Sequence, residues 1–257
     1  MRIFTSFFCV LLLVGGVSGV EKKKVTLSVM KGDTVTLSPD DAEIQTGDPI
    51  LWKFEGSIIG KRKTDGSIST YDGPGGISKD KLLLDKQTGS LTITDLTTDH
   101  TGLYQLEIKS TTEIFKKYSV TVSGTGGVKT RSVKEGEIII LNTGVINIDS
   151  EGYNLILWKT KDIIVGEINK KINRNNGGQD IFNGRQQLNE NSGSLTISDS
   201  RTTDSGVYHL TMSSSSHTLQ RTITVTVRAQ SGAPSGICGA GVGLVVWALT
   251  VFLLQEV

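Results

Sequence analysis

Apolar and polar residues alternate with a period of two along most of the chain. Leu91 and Ile93 alternate with Thr92 and Thr94, and Tyr118, Val120 and Val122 alternate with Ser119 and Thr121. Val35 and Leu37 flank Thr36 in the same way. This period, rich in β-branched residues and broken by turn pairs such as Thr88-Gly89, predicts half-buried strands rather than helices. About nine short strands fit each half of the central region, which predicts an all-β chain of antiparallel β-sandwiches.

The pattern occurs twice. Gly89-Ser90-Leu91-Thr92-Ile93-Thr94-Asp95 returns as Gly193-Ser194-Leu195-Thr196-Ile197-Ser198-Asp199, and Ile50-Leu51-Trp52-Lys53 returns as Ile156-Leu157-Trp158-Lys159. Asp99-His100-Thr101-Gly102-Leu103-Tyr104 has its counterpart in Asp204-Ser205-Gly206-Val207-Tyr208, with one extra residue, His100, in the first copy. Lys31-Gly32-Asp33 and Glu135-Gly136-Glu137 open matching strands. A period this long exceeds that of solenoid repeats and has the size of a whole small domain. Two tandem domains are expected, 20–123 and 124–228, joined at Ser123-Gly124-Thr125-Gly126-Gly127.

The two ends depart from this pattern. Met1-Arg2, the apolar run to Val14 and the small residues Gly15 to Gly19 describe a secretory signal peptide over 1–19, with the cut before Val20. A stalk at 229–236 leads to an uncharged apolar segment, 237–254. Two readings fit that segment. It is a single-span helix, barely long enough and without a following Lys or Arg. Or it is a glycosylphosphatidylinositol attachment signal, with Ser231-Gly232-Ala233 as the small triplet. Either places the protein on the extracellular side of the plasma membrane.

Composition removes several other classes. Lys and Arg total 27 against 26 Asp and Glu, a net charge of +1, so there is no basic surface to bind nucleic acid. Two cysteines and three histidines cannot build a Cys/His zinc site. No nucleophile–base pattern or phosphate-binding Gly-Lys-Ser/Thr loop is present, so neither an enzyme, nor a small-molecule substrate, nor a cofactor is expected. Gly73-Pro74-Gly75-Gly76 and Gly177-Gly178 read as turns, and Glu21 to Lys24 as a solvated leader. His100, His209 and His217 read as solvated surface. No Asn-x-Ser/Thr glycosylation site occurs.

Trp52 and Trp158, with the Asp-to-Tyr motifs ending at Tyr104 and Tyr208, resemble the strand C tryptophan and strand F tyrosine corner of the immunoglobulin fold. The interval from tryptophan to tyrosine leaves room for strands C′ and C″, so both units resemble the variable type. The family's intersheet cysteines would fall at Pro39 and Leu106, and at Thr143 and Leu210. With Cys9 in the leader and Cys238 in the tail, neither unit can form that disulfide. Such a bridge contributes roughly 4 kcal/mol by loop entropy, and burying Leu106 or Leu210 recovers about 1.5–3 kcal/mol each. Pro39 is expected to stop strand B at Ser38.

The cysteine-free variable-type first unit, and the phrase Leu82-Leu83-Leu84-Asp85 running on to Thr88-Gly89-Ser90-Leu91-Thr92-Ile93, resemble the signalling lymphocytic activation molecule family of lymphocyte-adhesion receptors in fishes. The resemblance implies ion pairs Lys81–Asp99 and Arg185–Asp204 at the base of each sandwich, the second the stronger because Arg binds in two places. It also implies that the protein binds another immunoglobulin-like surface protein, homophilically or heterophilically, through the outer face of the first unit's G, F, C and C′ strands. Alternation assigns Lys53, Glu55, Gln105, Glu107, Lys109 and Lys117 to that face, with Lys61, Arg62 and Lys63 near its edge and no large apolar patch beside it. A structural adhesion protein of non-immune tissue is the alternative.

Overall fold

A computed structural model describes residues 24–39, 44–45, 47–109, 113–124, 130–172, 174–176 and 178–230. The signal peptide, the apolar tail and most of the stalk and linker lie outside the described residues. Nine strands make up the first repeat: β1 (Lys24–Met30), β2 (Thr34–Leu37), β3 (Ile50–Phe54), β4 (Ser57–Arg62), β5 (Ile68–Thr70), β6 (Leu82–Leu84), β7 (Leu91–Ile93), β8 (Gly102–Lys109) and β9 (Glu113–Ser123). The second repeat runs β10 (Thr130–Lys134), β11 (Ile139–Leu141), β12 (Leu155–Thr160), β13 (Ile163–Asn169), β14 (Arg174–Asn176), β15 (Gln186–Leu188), β16 (Leu195–Ile197), β17 (Gly206–Ser213) and β18 (His217–Arg228).

The front sheet of the first repeat has the order β1-β9-β8-β3-β4-β5, and β2-β7-β6 backs it. The second repeat has the same two layers, β10-β18-β17-β12-β13-β14 over β11-β16-β15. In each the first strand pairs parallel with the last and the other pairings are antiparallel. This is the strand order of a variable-type sandwich.

Alternation fills the space between the layers. Trp52, Tyr104, Leu106 and Tyr118 are buried in the first repeat, and Trp158, Tyr208 and Leu210 in the second. Each indole N–H donates to a glycine carbonyl, Trp52 to Gly89 at 2.9 Å and Trp158 to Gly193 at 2.8 Å. Both glycines have φ of 69°, a left-handed conformation that turns the carbonyl inward, and a Cβ on Gly89 would come within 2.2 Å of Ile50 Cδ1. The repeated Gly-Ser-Leu-Thr-Ile phrase is therefore the tryptophan's hydrogen-bond acceptor. A second shared phrase, Ile59-Gly60 and Val165-Gly166, marks a bulge beside each tryptophan.

Leu106 and Leu210 are buried, as are Pro39 and Thr143, so the four positions where an intersheet cysteine would sit are filled, three by apolar packing and the fourth by Thr143, whose hydroxyl donates to Ser192 O at 2.6 Å. Strand B ends one residue earlier than expected, at Leu37. The Ser38 carbonyl turns away from the ladder to accept from the Tyr118 hydroxyl and, at 3.0 Å, from Lys116 Nζ.

The repeats are joined by more than the linker. No strand A flanks β2 among the described residues, because β1 pairs with β9 instead. The vacant edge is taken by the first half of β18: His217, Thr218, Leu219 and Gln220 pair antiparallel with Leu37, Thr36, Val35 and Thr34. The back sheet of the first repeat thus continues into the front sheet of the second, and an edge that invites aggregation is closed within the chain. Beside this pairing, Arg221 Nε and Nη2 each donate to the Asp33 carboxylate at 2.8 Å, both side chains being 5% exposed or less. Arg221 Nη1 also reaches the Asn142 and Thr143 carbonyls, and Ser38 N–H donates to Ser216 O.

Two histidines differ from their expected solvated surface. His217 is buried at this junction, its ring nitrogens within hydrogen-bonding distance of Ser214, Ser216 and the Tyr153 hydroxyl. Burial, with Glu151 nearby, pushes the Tyr153 phenol up to about 12. His100 is 2% exposed, and its Nδ1 accepts the Thr97 N–H that opens a 3-10 turn. His209 is exposed, and its Nδ1 lies 3.2 Å from Thr222 Oγ1.

Candidate recognition face

The front sheet of the first repeat turns every second residue of β9, β8, β3 and β4 to solvent. Register places Phe115, Glu107, Leu51 and Lys61 in one row, and Lys117, Gln105, Lys53 and Ile58 in the next. Between the rows Lys53 Nζ meets Glu107 Oε1 at 2.6 Å, each side chain about a quarter exposed. Partial burial makes this pair stronger than a fully solvated one, for which about 0–1 kcal/mol is typical.

The remaining candidates divide. Gln105 and Lys117 are half-buried opposite each other, and Lys61 and Lys109 are exposed. Glu55 is exposed, but its Oε1 accepts the Leu103 N–H at 2.6 Å and braces the Glu55-Gly56 turn, in which both residues have positive φ. Arg62 is a correction. It is fully buried and faces inward, donating five hydrogen bonds to the carbonyls of Gln45, Asp48, Lys86 and Gln87. Burial lowers its pKa, with Asp48 and Asp85 opposing, and the residue ties β4 to two loops instead of meeting a partner. The second correction concerns apolar surface. Ile58 is 44% exposed, and Leu51, Leu103 and Phe115 are half-buried on the same face. Parity alone would have found them.

At the base of the sandwich the two repeats diverge. Arg185 grips Asp204 in two places, at 2.7 and 2.9 Å, and Asp204 also accepts the Arg201 N–H. Burial works to raise the Asp204 carboxyl, but the hydrogen bonds from Arg185 and Arg201 and their charges outweigh it and leave it lowered. Lys81 does not pair with Asp99; its amine lies 2.9 Å from Asp95. The reason is register: four residues before the corner tyrosine stands Asp204 in one repeat and His100 in the other. Tyr208 donates to Asp204 O at 2.7 Å and Tyr104 to His100 O at 3.0 Å. Burial, then the charge of Lys81, lowers the His100 pKa against the opposing pull of Asp99 and Asp95.

Among the described residues no group of three or more His, Cys, Asp or Glu is placed to hold a metal ion. Residues 130–228 match the profile of the immunoglobulin V-set domain. That segment covers β10 to β18, the second repeat. Its strand order is that of the first repeat as well. Among solved structures, murine CEACAM1b is 18% identical with a TM-score of 0.32, covering 78% of this chain and 96% of that one. The first Ig-like domain of human CD48 antigen is 20% identical with a TM-score of 0.36, covering 52% and 96%. No curated protein matches the chain.

Proposed function

We propose that this protein is a cell-surface recognition molecule of the immunoglobulin superfamily. It binds another immunoglobulin-like protein, a second copy or a different chain, through the outer face of β9, β8, β3 and β4. The reading rests on the V-set match of residues 130–228 and on the secretory leader and apolar tail read from the sequence. The observation that carries the site is the Lys53–Glu107 pair set among Leu51, Ile58, Leu103 and Phe115. An ion pair ringed by half-exposed apolar groups supplies contact area and charge register together, and gives binding that weakens with salt. The resemblance to the lymphocyte-adhesion receptors favours a leukocyte ligand or receptor held at the outer surface by a lipid anchor or a single helix.

The test is cell–cell binding by cells displaying the full chain. The Lys53→Glu, Glu107→Lys exchange keeps the internal pair but reverses its direction, and each single reversal breaks it. Binding falls at least about tenfold in all three if the partner reads the charge register, about 1.4 kcal/mol. Unchanged binding by the exchange variant, with surface expression intact, moves the site elsewhere.

A further inference from the structure

Within one molecule the edge of β2 is covered by β18, but its counterpart in the second repeat, β11, pairs only with β16 among the described residues. The two edges are built alike. Asp33 Oδ2 accepts the Met30 N–H at 2.8 Å, and Glu137 Oε2 accepts the Lys134 N–H at 2.9 Å. Thr34 and Thr36 are half-buried on the covered edge. Ile138 and Ile140, at the matching positions, are 53% and 42% exposed, and Glu137 is exposed where Asp33 is buried. Edge strands are ordinarily blunted with lysine, proline or a covering segment, and two exposed isoleucines do the reverse.

The first repeat carries the matching half of the contact. Tyr118 lies opposite Tyr104 as Ile223 lies opposite Tyr208, so Lys116 in β9 occupies the place of Arg221 in β18. Lys116 Nζ holds the Ser38 carbonyl as Arg221 Nη1 holds the Asn142 carbonyl, and Arg221 reaches Asp33 while doing so. Among the described residues β1 flanks β9 from Lys117 onward, as β10 flanks β18 from Thr224 onward.

We propose that β11 docks a second copy of this chain, whose β9 covers it as β18 covers β2 within one molecule. The register carried over sets Ile140 opposite Glu113 and Ile138 opposite Phe115 of the second copy, with Glu137 facing its Lys116. Continuity with the internal junction and the conserved acid–base order select this occupant over an unrelated strand. The contact is head-to-tail, so it joins copies into an open chain or a ring rather than an isologous dimer. It joins the second repeat of one copy to the β9 edge of the first repeat in the next, and shares Phe115 with the recognition face described above, whose Lys53–Glu107 pair it leaves uncovered.

The test uses full-length protein on cells in a Cys238→Ser background. Two differently tagged forms, Glu113→Cys and Ile140→Cys, are co-expressed and treated with a short bismaleimide. The expected result is a cross-linked product carrying both tags, reduced about tenfold when Glu137→Lys is added to the Ile140→Cys form. Glu137 is exposed, so that variant is expected to fold, and surface display by antibody checks it. Absence of the mixed product overturns the proposal, as does a product from Ile140→Cys alone, which means that β11 pairs with its own copy. A mixed product unaffected by Glu137→Lys overturns the acid–base pairing that selects the occupant.

Discussion

Breaking the Asp33–Arg221 pair tests whether the two repeats fold as one unit. Both side chains are almost completely buried, and two hydrogen bonds of 2.8 Å join them. Asp33→Ala leaves a buried guanidinium with only the Asn142 and Thr143 carbonyls and also removes the acceptor of the Met30 N–H. Removing one member of a buried pair costs about 3–5 kcal/mol, because the other charge stays out of water without compensation. Arg221→Met should cost a similar amount. The double variant should lose less than the two singles combined, since no orphan charge remains. Each repeat holds one buried tryptophan, so fluorotryptophan labelling of the ectodomain gives separate signals from Trp52 and Trp158 during guanidinium unfolding. In the native chain the two transitions coincide. In Asp33→Ala the first repeat unfolds earlier, because its β2 edge depends on β18. Single variants that cost under about 1 kcal/mol, with both signals still coincident, would refute the reasoning.

Two further outcomes follow from the base of each sandwich. Asp204→Ala should destabilise by about 3 kcal/mol and Asp99→Ala by under about 0.5, since only Asp204 is gripped by an arginine; equal losses by chemical denaturation would count against this. His100 has a lowered folded pKa, so the unfolded chain binds the proton more readily and stability falls as pH drops below the ordinary histidine value near 6.5. His100→Gln should flatten the melting-temperature profile between pH 7.5 and 5, and an unchanged profile would remove the histidine from the account. The Asp204 carboxyl, lowered when folded, holds its contribution down to about pH 4 and loses it only below that.

The sandwich was legible because its signals are local. Each tryptophan, each tyrosine corner and each Gly-Ser-Leu-Thr-Ile turn recurs within a few residues of a fixed offset, and period-two alternation placed Trp52, Leu106 and Tyr118 inward without error. The failures have two causes. Arg62 stands at inward parity in an alternating strand, as do Lys116 and Arg221, on which the sequence reading made no assignment; the run Lys61-Arg62-Lys63 reads as one solvated cluster when charge is counted before parity. A charge on the core side of a strand must find buried partners, which is where Arg62 finds its carbonyls and Arg221 its carboxylate. His100 was misassigned because Asp99 was matched to Asp204 by residue type. Counting back four residues from the tyrosine gives the correct pair.

The junction could not be read from periodicity, which fixes the face that each residue occupies but not the strand that its edge will meet. Its partners are far apart in the chain: Asp33 and Arg221 are separated by 188 residues. Its position nevertheless has a consequence for recognition. The first repeat has two sheets, and β18 joins the edge of the back one, β2-β7-β6. The front sheet, which carries Lys53 and Glu107, takes no part in the pairing. Anchoring through a back-sheet edge immobilises the first repeat without covering its front face, so a partner docking there meets a surface whose orientation is already fixed. A fixed orientation lowers the entropy cost of association for a face that offers one ion pair and the half-buried Leu51, Leu103 and Phe115 beside Ile58.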